Sequence, residues 1–157
     1  MKIGDKIENF TLQGIDENGV EKEFSLSDFK GKNLVLYFYP KDNTPGCTQE
    51  ACDFRDNFNR LTSKAFVVGV STDDIKSHKK FQEQHNLNFP LLSDVEHRLG
   101  EKFGAWGEKS MYGKKYMGTI RSTFLINKNG VLEKIWTNVK VKGHVDEILI
   151  ELEKLND

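Results

Sequence analysis

Cysteine is scarce in this chain: there are two in 157 residues. Two thiols cannot build the multi-bridge framework that holds small secreted domains together, so a packed core must do so, and the length is ample for one ordinary domain spanning 1–157. An excess of charge of one sign is also missing. With 30% charged residues and a formal net charge of -1, there is no bulk electrostatic case for a nucleic-acid partner or a membrane surface. Long hydrophobic runs are absent too. The longest, Leu34-Val35-Leu36-Tyr37-Phe38-Tyr39, is far too short to span a bilayer. The opening MKIGDKIENFTL lacks the apolar core of a signal peptide, so the expectation is a cytoplasmic protein whose two cysteines serve redox or catalytic chemistry. No internal repeat, low-complexity segment or interdomain linker is evident. The four histidines, His78, His85, His97 and His144, have no ligand spacing with the cysteines, so no metal site is expected.

Two continuous apolar stretches, 33–39 and Ala65 to Val70, read as strands buried on both faces of a helix-covered sheet. Short strands around Phe10–Leu12 and Glu23–Leu26, separated by the turn-prone Asp16-Glu17-Asn18-Gly19, predict an N-terminal β-hairpin. A polar surface helix is expected over 73–86, capped by Thr72 or Asp73. A short extended piece follows at Phe89–Leu92, and then a helix capped at Ser93-Asp94 with Val95, Leu99 and Phe103 on one face. Residues 104–119, rich in glycine and aromatics, are expected to form an irregular functional loop. Arg121–Ile126 and Val131–Trp136 make a hairpin across Asn127–Gly130, and Val145 to Leu155 a C-terminal amphipathic helix. A right-handed βαβ unit followed by an antiparallel pair, with helices on both faces, predicts a thioredoxin-like α/β fold: a central mixed β-sheet flanked by helices. Strand order does not follow from these patterns.

The segment between the first buried strand and the next helix is the most informative. The strand ends at Pro40, and turn-forming residues lead to Thr44-Pro45-Gly46-Cys47. Thr44 is a good N-cap and Pro45 suits the first helical position. Cys47, Ala51, Phe54, Phe58 and Leu61 then recur at steps of four and three, predicting an amphipathic helix from Thr44 to about Thr62. A cysteine in the first turn meets unpaired backbone N–H groups and the positive end of the helix dipole, which favour thiolate, the nucleophilic form. Spacing alone fits a buried core cysteine equally well.

Pro40-x-x-x-Thr44-x-x-Cys47 resembles the active-site signature of the peroxiredoxins, thiol peroxidases that need neither metal nor haem. YPKDNTPGCTQEACDFRD, FGAWGEKSMYGKKYMG, RSTFLIN and the N-terminal KIGDKIENFTL are together similar to the bacterioferritin comigratory protein, or peroxiredoxin Q, group across essentially the whole chain. The resemblance implies that Cys47 is the peroxidatic cysteine, oxidised to a sulfenic acid by hydrogen peroxide or an organic hydroperoxide. Thr44 would orient the peroxide, and Arg121 would stabilise the thiolate and the leaving oxygen. Pro40 would shield the site. Gly46 would let substrate approach the helix start, and Glu50 would hydrogen-bond Arg121 or its neighbours. Without the resemblance, Arg121 reads as a strand-end arginine and Glu50 as ordinary first-turn helix chemistry.

The resemblance also implies that Cys52 is the resolving cysteine, giving an intramolecular disulfide recycled by thioredoxin or a similar dithiol protein, in a monomer. Helix geometry constrains that step. Five residues of helix separate the Cα atoms by about 8–9 Å, whereas a disulfide tolerates only about 4.4–6.8 Å. The first turns must unwind for the bond to form. Two other functions fit a reactive cysteine. A thiol-disulfide exchange protein normally carries C-x-x-C, which is missing here. A non-enzymatic peroxide sensor would have less need of Thr44 and Arg121.

Overall fold

The computed structural model describes residues 1–155. β1 (Thr11–Ile15) and β2 (Glu21–Ser25) form the N-terminal hairpin. A 3-10 turn at Leu26–Phe29 leads into β3 (Asn33–Phe38), whose six residues are all buried. α1 (Pro45–Asp56) and a short α2 (Phe58–Thr62) follow, then β4 (Ala65–Ser71), α3 (Ile75–His85), β5 (Leu91–Ser93) and α4 (Arg98–Phe103). The chain ends with β6 (Trp106–Met111), β7 (Lys114–Thr119), β8 (Ser122–Ile126), β9 (Leu132–Trp136) and α5 (His144–Leu155).

Seven strands form one mixed sheet in the order β2-β1-β5-β4-β3-β8-β9. β3 and β4 run parallel, as the βαβ unit requires, while β8 lies antiparallel on the other side of β3. The N-terminal hairpin extends this sheet through β1, which pairs antiparallel with β5. That junction needs a glycine: a Cβ on Gly14 would lie 2.6 Å from the Leu91 carbonyl oxygen.

The unbroken apolar run of β3 serves both faces of the sheet, its side chains alternating with the two-residue period of a strand. Val35, Tyr37 and Tyr39 pack in one core with Cys47, Ala51 and Phe54 of α1, Phe81 of α3, and Ile148 and Leu152 of α5. Leu34, Leu36 and Phe38 pack in the other with Val68, Val70, Leu99, Phe103 and Phe124.

Four local expectations are corrected. The helix from Thr44 to Thr62 is two helices, broken at Asn57, whose side-chain amide donates to the Asp53 carbonyl and caps the end of α1. α3 is capped by Asp74, which accepts from the Ser77 N–H; Asp73 turns instead toward the loop after β3. Asp94 does serve a helix start, accepting from Leu99 and Gly100 N–H groups. That helix begins only at Arg98, so Val95 lies outside it and is exposed. Finally, 104–119 is no irregular loop. It is the two-stranded ribbon β6–β7, turning at Tyr112 (φ 52) and Gly113 (φ 78). Two successive positive φ values give the tight turn that matches strand twist.

Candidate active site

β3 lies inside the sheet between β4 and β8, and the chain beyond it, Pro40 to Thr44, leads to Cys47. Cys47 sits in the first turn of α1, 1% exposed, where Pro45 and the extended backbone of Thr44 set the helix start. Arg121 immediately precedes β8, the strand beside β3. The strand-to-helix turn and the start of the neighbouring antiparallel strand therefore meet at one edge.

Arg121 uses two nitrogens there. Nη2 donates to Cys47 Sγ at 3.3 Å and Nη1 to Glu50 Oε1 at 2.7 Å. Burial works against the guanidinium charge, but Glu50 and Cys47 outweigh it and the Arg121 pKa is raised. Glu50, one turn after Cys47, is 1% exposed, and its Oε2 takes no hydrogen bond among the described residues. Burial raises its pKa to about 7 against the opposing pull of Arg121. Below the pair lies Tyr37, wholly buried, its phenol held neutral by burial and by the nearby Glu50 and Cys47.

Thr44 is the N-cap residue by backbone conformation, but its hydroxyl does not cap. It donates to the Lys41 carbonyl at 2.7 Å. With its only proton committed, the hydroxyl is left to accept, which suits a peroxide O–H. Pro40 is half-buried at the start of this loop. A Cβ on Gly46 would lie 3.2 Å from Arg121 Nη2, so the missing side chain first makes room for the guanidinium. Cys52 is half-buried and, like Cys47, a free thiol. Both lie within the continuous helix α1, which keeps them apart.

Lys109 is a member of this neighbourhood that the residue patterns did not mark. It projects from β6, donates from Nζ to the Thr119 carbonyl at 2.9 Å, and lines a cavity of about 450 Å³ with Ile120, Arg121, Asn138 and Val139. Burial and Arg121 lower its pKa, with Cys47 acting in the opposite sense. Reading 106–119 as a ribbon would have revealed it, but Tyr112-Gly113 is an unusual turn pair. Tyr112 is 99% exposed, and Trp106 stacks on His97 with ring centroids 4.0 Å apart. Larger cavities, of about 720 and 680 Å³, touch none of Thr44, Cys47 or Arg121.

A thiol held by arginine at a helix start, on a thioredoxin-like sheet, is the arrangement of a peroxiredoxin. The chain belongs to the AhpC/TSA family, whose model matches residues 3–135. Among its relatives is the peroxiredoxin Bcp of Bacillus subtilis, 51% identical over 158 residues and covering 100% of this chain and 98% of that protein. A putative peroxiredoxin bcp of Coxiella burnetii is 47% identical over 95% of this chain and 97% of its own. Among solved structures, a Cys-to-Ser mutant of Xylella fastidiosa PrxQ superposes with a TM-score of 0.92 at 38% identity, covering 100% and 98% of the two chains. The bacterioferritin comigratory protein of Xanthomonas campestris, described for alkyl peroxide reduction, gives 0.85 at 38% identity, covering 93% and 92%.

Proposed function

We propose that the protein reduces hydrogen peroxide and organic hydroperoxides through Cys47. The observation that carries this reading is the 3.3 Å contact from Arg121 to the Cys47 sulfur in the first turn of α1. The Cys47 sulfur attacks the terminal peroxide oxygen and the O–O bond breaks. Sulfur is oxidised to sulfenic acid, and the other oxygen leaves as water or alcohol once protonated. Thr44 accepts from the peroxide O–H, and the first-turn N–H groups near Gly46 and Cys47 offer further donors. Arg121 bears the charge developing on the leaving oxygen, held in place by Glu50. Pro40 limits water at the mouth.

The Cys52 thiol then condenses with the sulfenic acid, forming an S–S bond and releasing water. A thioredoxin-type dithiol protein reduces that disulfide. The family resemblance supports this reductant, a monomeric state, a cytoplasmic location and the action of the whole chain as one domain. Among the described residues, no helix is long and apolar enough to cross a membrane.

Peroxide-dependent NADPH oxidation with thioredoxin and its reductase tests the cycle. Cys47→Ser is expected to abolish turnover, and Cys52→Ser to stop thioredoxin-dependent recycling while leaving one round of peroxide reduction. Peptide mapping after one equivalent of peroxide should show a Cys47–Cys52 linkage. Its absence would demote Cys52, and a wild type inactive with every dithiol donor would overturn the peroxidase reading.

A further inference from the structure

A buried polar cluster holds the loop between β3 and α1, and the chemistry above makes no use of it. Asp42, two residues before Thr44, is only 5% exposed although it sits in a loop. Its Oδ1 accepts from the Tyr39 hydroxyl at 2.6 Å, and its Oδ2 accepts from the Ser77 hydroxyl at 2.8 Å. The same Oδ2 lies 2.8 Å from Nδ1 of His78, which is wholly buried on the inner face of α3. His78 Nε2 lies 2.9 Å from the Leu92 carbonyl of β5. The Asp42 backbone N–H donates to Asp73 Oδ2 at 2.8 Å, and that carboxylate also accepts from the Ser71 hydroxyl at the end of β4.

The proton inventory of this chain is fixed by its ends. A carbonyl only accepts, so the Leu92 contact requires a hydrogen on Nε2. A 2.8 Å approach of Nδ1 to a carboxyl oxygen then requires a second hydrogen between those two atoms, whichever of them holds it. The contact is therefore charge-assisted or its neutral equivalent, in a site closed to water, and breaking it leaves buried polar groups unpaired. It ties the loop to α3 and β5, neither of which carries a reacting group.

We infer that Asp42 and His78 are positioning residues, a clamp that holds the Pro40–Thr44 segment, and through it Thr44 and the start of α1, in the peroxide-reactive geometry. With the clamp closed, opening of the site is confined to the C-terminal side of Thr44, where α1 unwinds toward Cys52. With it broken, the loop leaves the sheet together with the helix start, and the population shifts from the peroxide-reactive form to the disulfide-competent form. This inference rests on the two-cysteine cycle proposed above.

Two substitutions at one position isolate the Asp42 contact from mere burial. In His78→Asn the amide nitrogen takes approximately the place of Nδ1 and can donate to Asp42; in His78→Gln it takes approximately the place of Nε2 and can donate only to Leu92. Two quantities are read in each: the second-order rate of Cys47 sulfenic acid formation, by competition with a reporter peroxidase, and the fraction of Cys47 driven to sulfinic acid at high peroxide, by mass spectrometry. His78→Gln is expected to slow sulfenic acid formation about tenfold, the scale for leaving one buried polar group unpaired. It should also lower the sulfinic fraction, because disulfide formation now outruns a second peroxide. His78→Asn should stay within about twofold of wild type on both.

Ser77→Ala, which removes a donor to Asp42 without touching the core, should shift both readouts in the direction of His78→Gln. It keeps the test open if either histidine variant folds poorly. Equal behaviour of Asn and Gln at position 78, or a slower first step with an unchanged sulfinic fraction, overturns the clamp. Failure of the underlying cycle is recognised separately, as loss of the Cys47–Cys52 linkage in wild type.

Discussion

Arg121 and Cys47 meet beyond the end of β3: the arginine from the start of β8, the cysteine from the first turn of α1, with Nη2 3.3 Å from Sγ. The other η nitrogen is held by Glu50, so the guanidinium is fixed in a plane that lets it face both the sulfur and an incoming oxygen. Arg121→Lys keeps a positive charge but cannot span both partners. The second-order rate of Cys47 oxidation should fall about 10²–10³-fold, the scale for loss of a preorganised donor. Stopped-flow measurement at saturating reductant checks it, and a loss below threefold would show that charge alone suffices.

Thr44 offers a narrower test. Its hydroxyl proton is spent on the Lys41 carbonyl, so its value to substrate is as an acceptor. Thr44→Val is nearly isosteric but removes that acceptor and unpairs the carbonyl; a loss of about 10–100-fold in kcat/KM is expected. Thr44→Ser retains the oxygen and should recover most of the rate. If Ser and Val are equally impaired, the methyl group rather than the hydroxyl matters.

Glu50 should impose a pH dependence on the opening of α1. Burial raises its folded pKa from the ordinary 4.5 to about 7, so the folded helix retains a proton that an unwound helix releases. The added stability is complete below about 4.5 and is lost as pH rises toward about 7. At most it amounts to roughly 3 kcal/mol. Disulfide formation after stoichiometric peroxide should therefore accelerate across this window and level off above it. Glu50→Gln, which keeps an acceptor for Arg121, should flatten that component of the profile.

His144 sets an acid limit of a different kind. At the start of α5 it is buried, its Nε2 2.7 Å from the Thr123 hydroxyl, and burial, aided by Arg121, lowers its pKa to about 4. The unfolded chain takes up a proton at the ordinary histidine value, near 6.5, and the folded chain only near 4. Its contribution to stability is thus fully present above 6.5 and is lost as pH falls through 4. Urea midpoints measured over that range should fall for wild type and fall less steeply for His144→Gln.

The residue patterns located the catalytic loop because its signals are local. Proline ends a strand, threonine and proline start a helix, and an apolar stripe runs down one side. Arg121 carries no such mark. Its partners Cys47 and Glu50 are more than seventy positions away in the chain, and only the pairing of β8 with β3 brings them together; the family resemblance supplied what periodicity could not. Asp42 and His78 stayed hidden for a related reason. A polar loop residue and a histidine on a mostly polar helix look solvated until α3 is seen to bury His78 beside Phe81 and Gln82. The ribbon at 104–119 was missed because its glycines and exposed tyrosines resemble loop composition, while its register depends on pairing across Tyr112-Gly113.

On the proposed cycle Arg121 is anchored beside the first residue of β8 while Cys47 lies on a helix that unwinds, which has a kinetic consequence. In that cycle the arginine would stay next to β8 while the oxidised sulfur travels toward Cys52, so the group that activates the first reaction would be left behind during the second. One molecule would then not receive peroxide and form its disulfide in the same conformation. On the proposed cycle, each substrate meets a different form of the enzyme, and steady-state turnover should follow a double-displacement pattern, with parallel reciprocal plots for peroxide and dithiol.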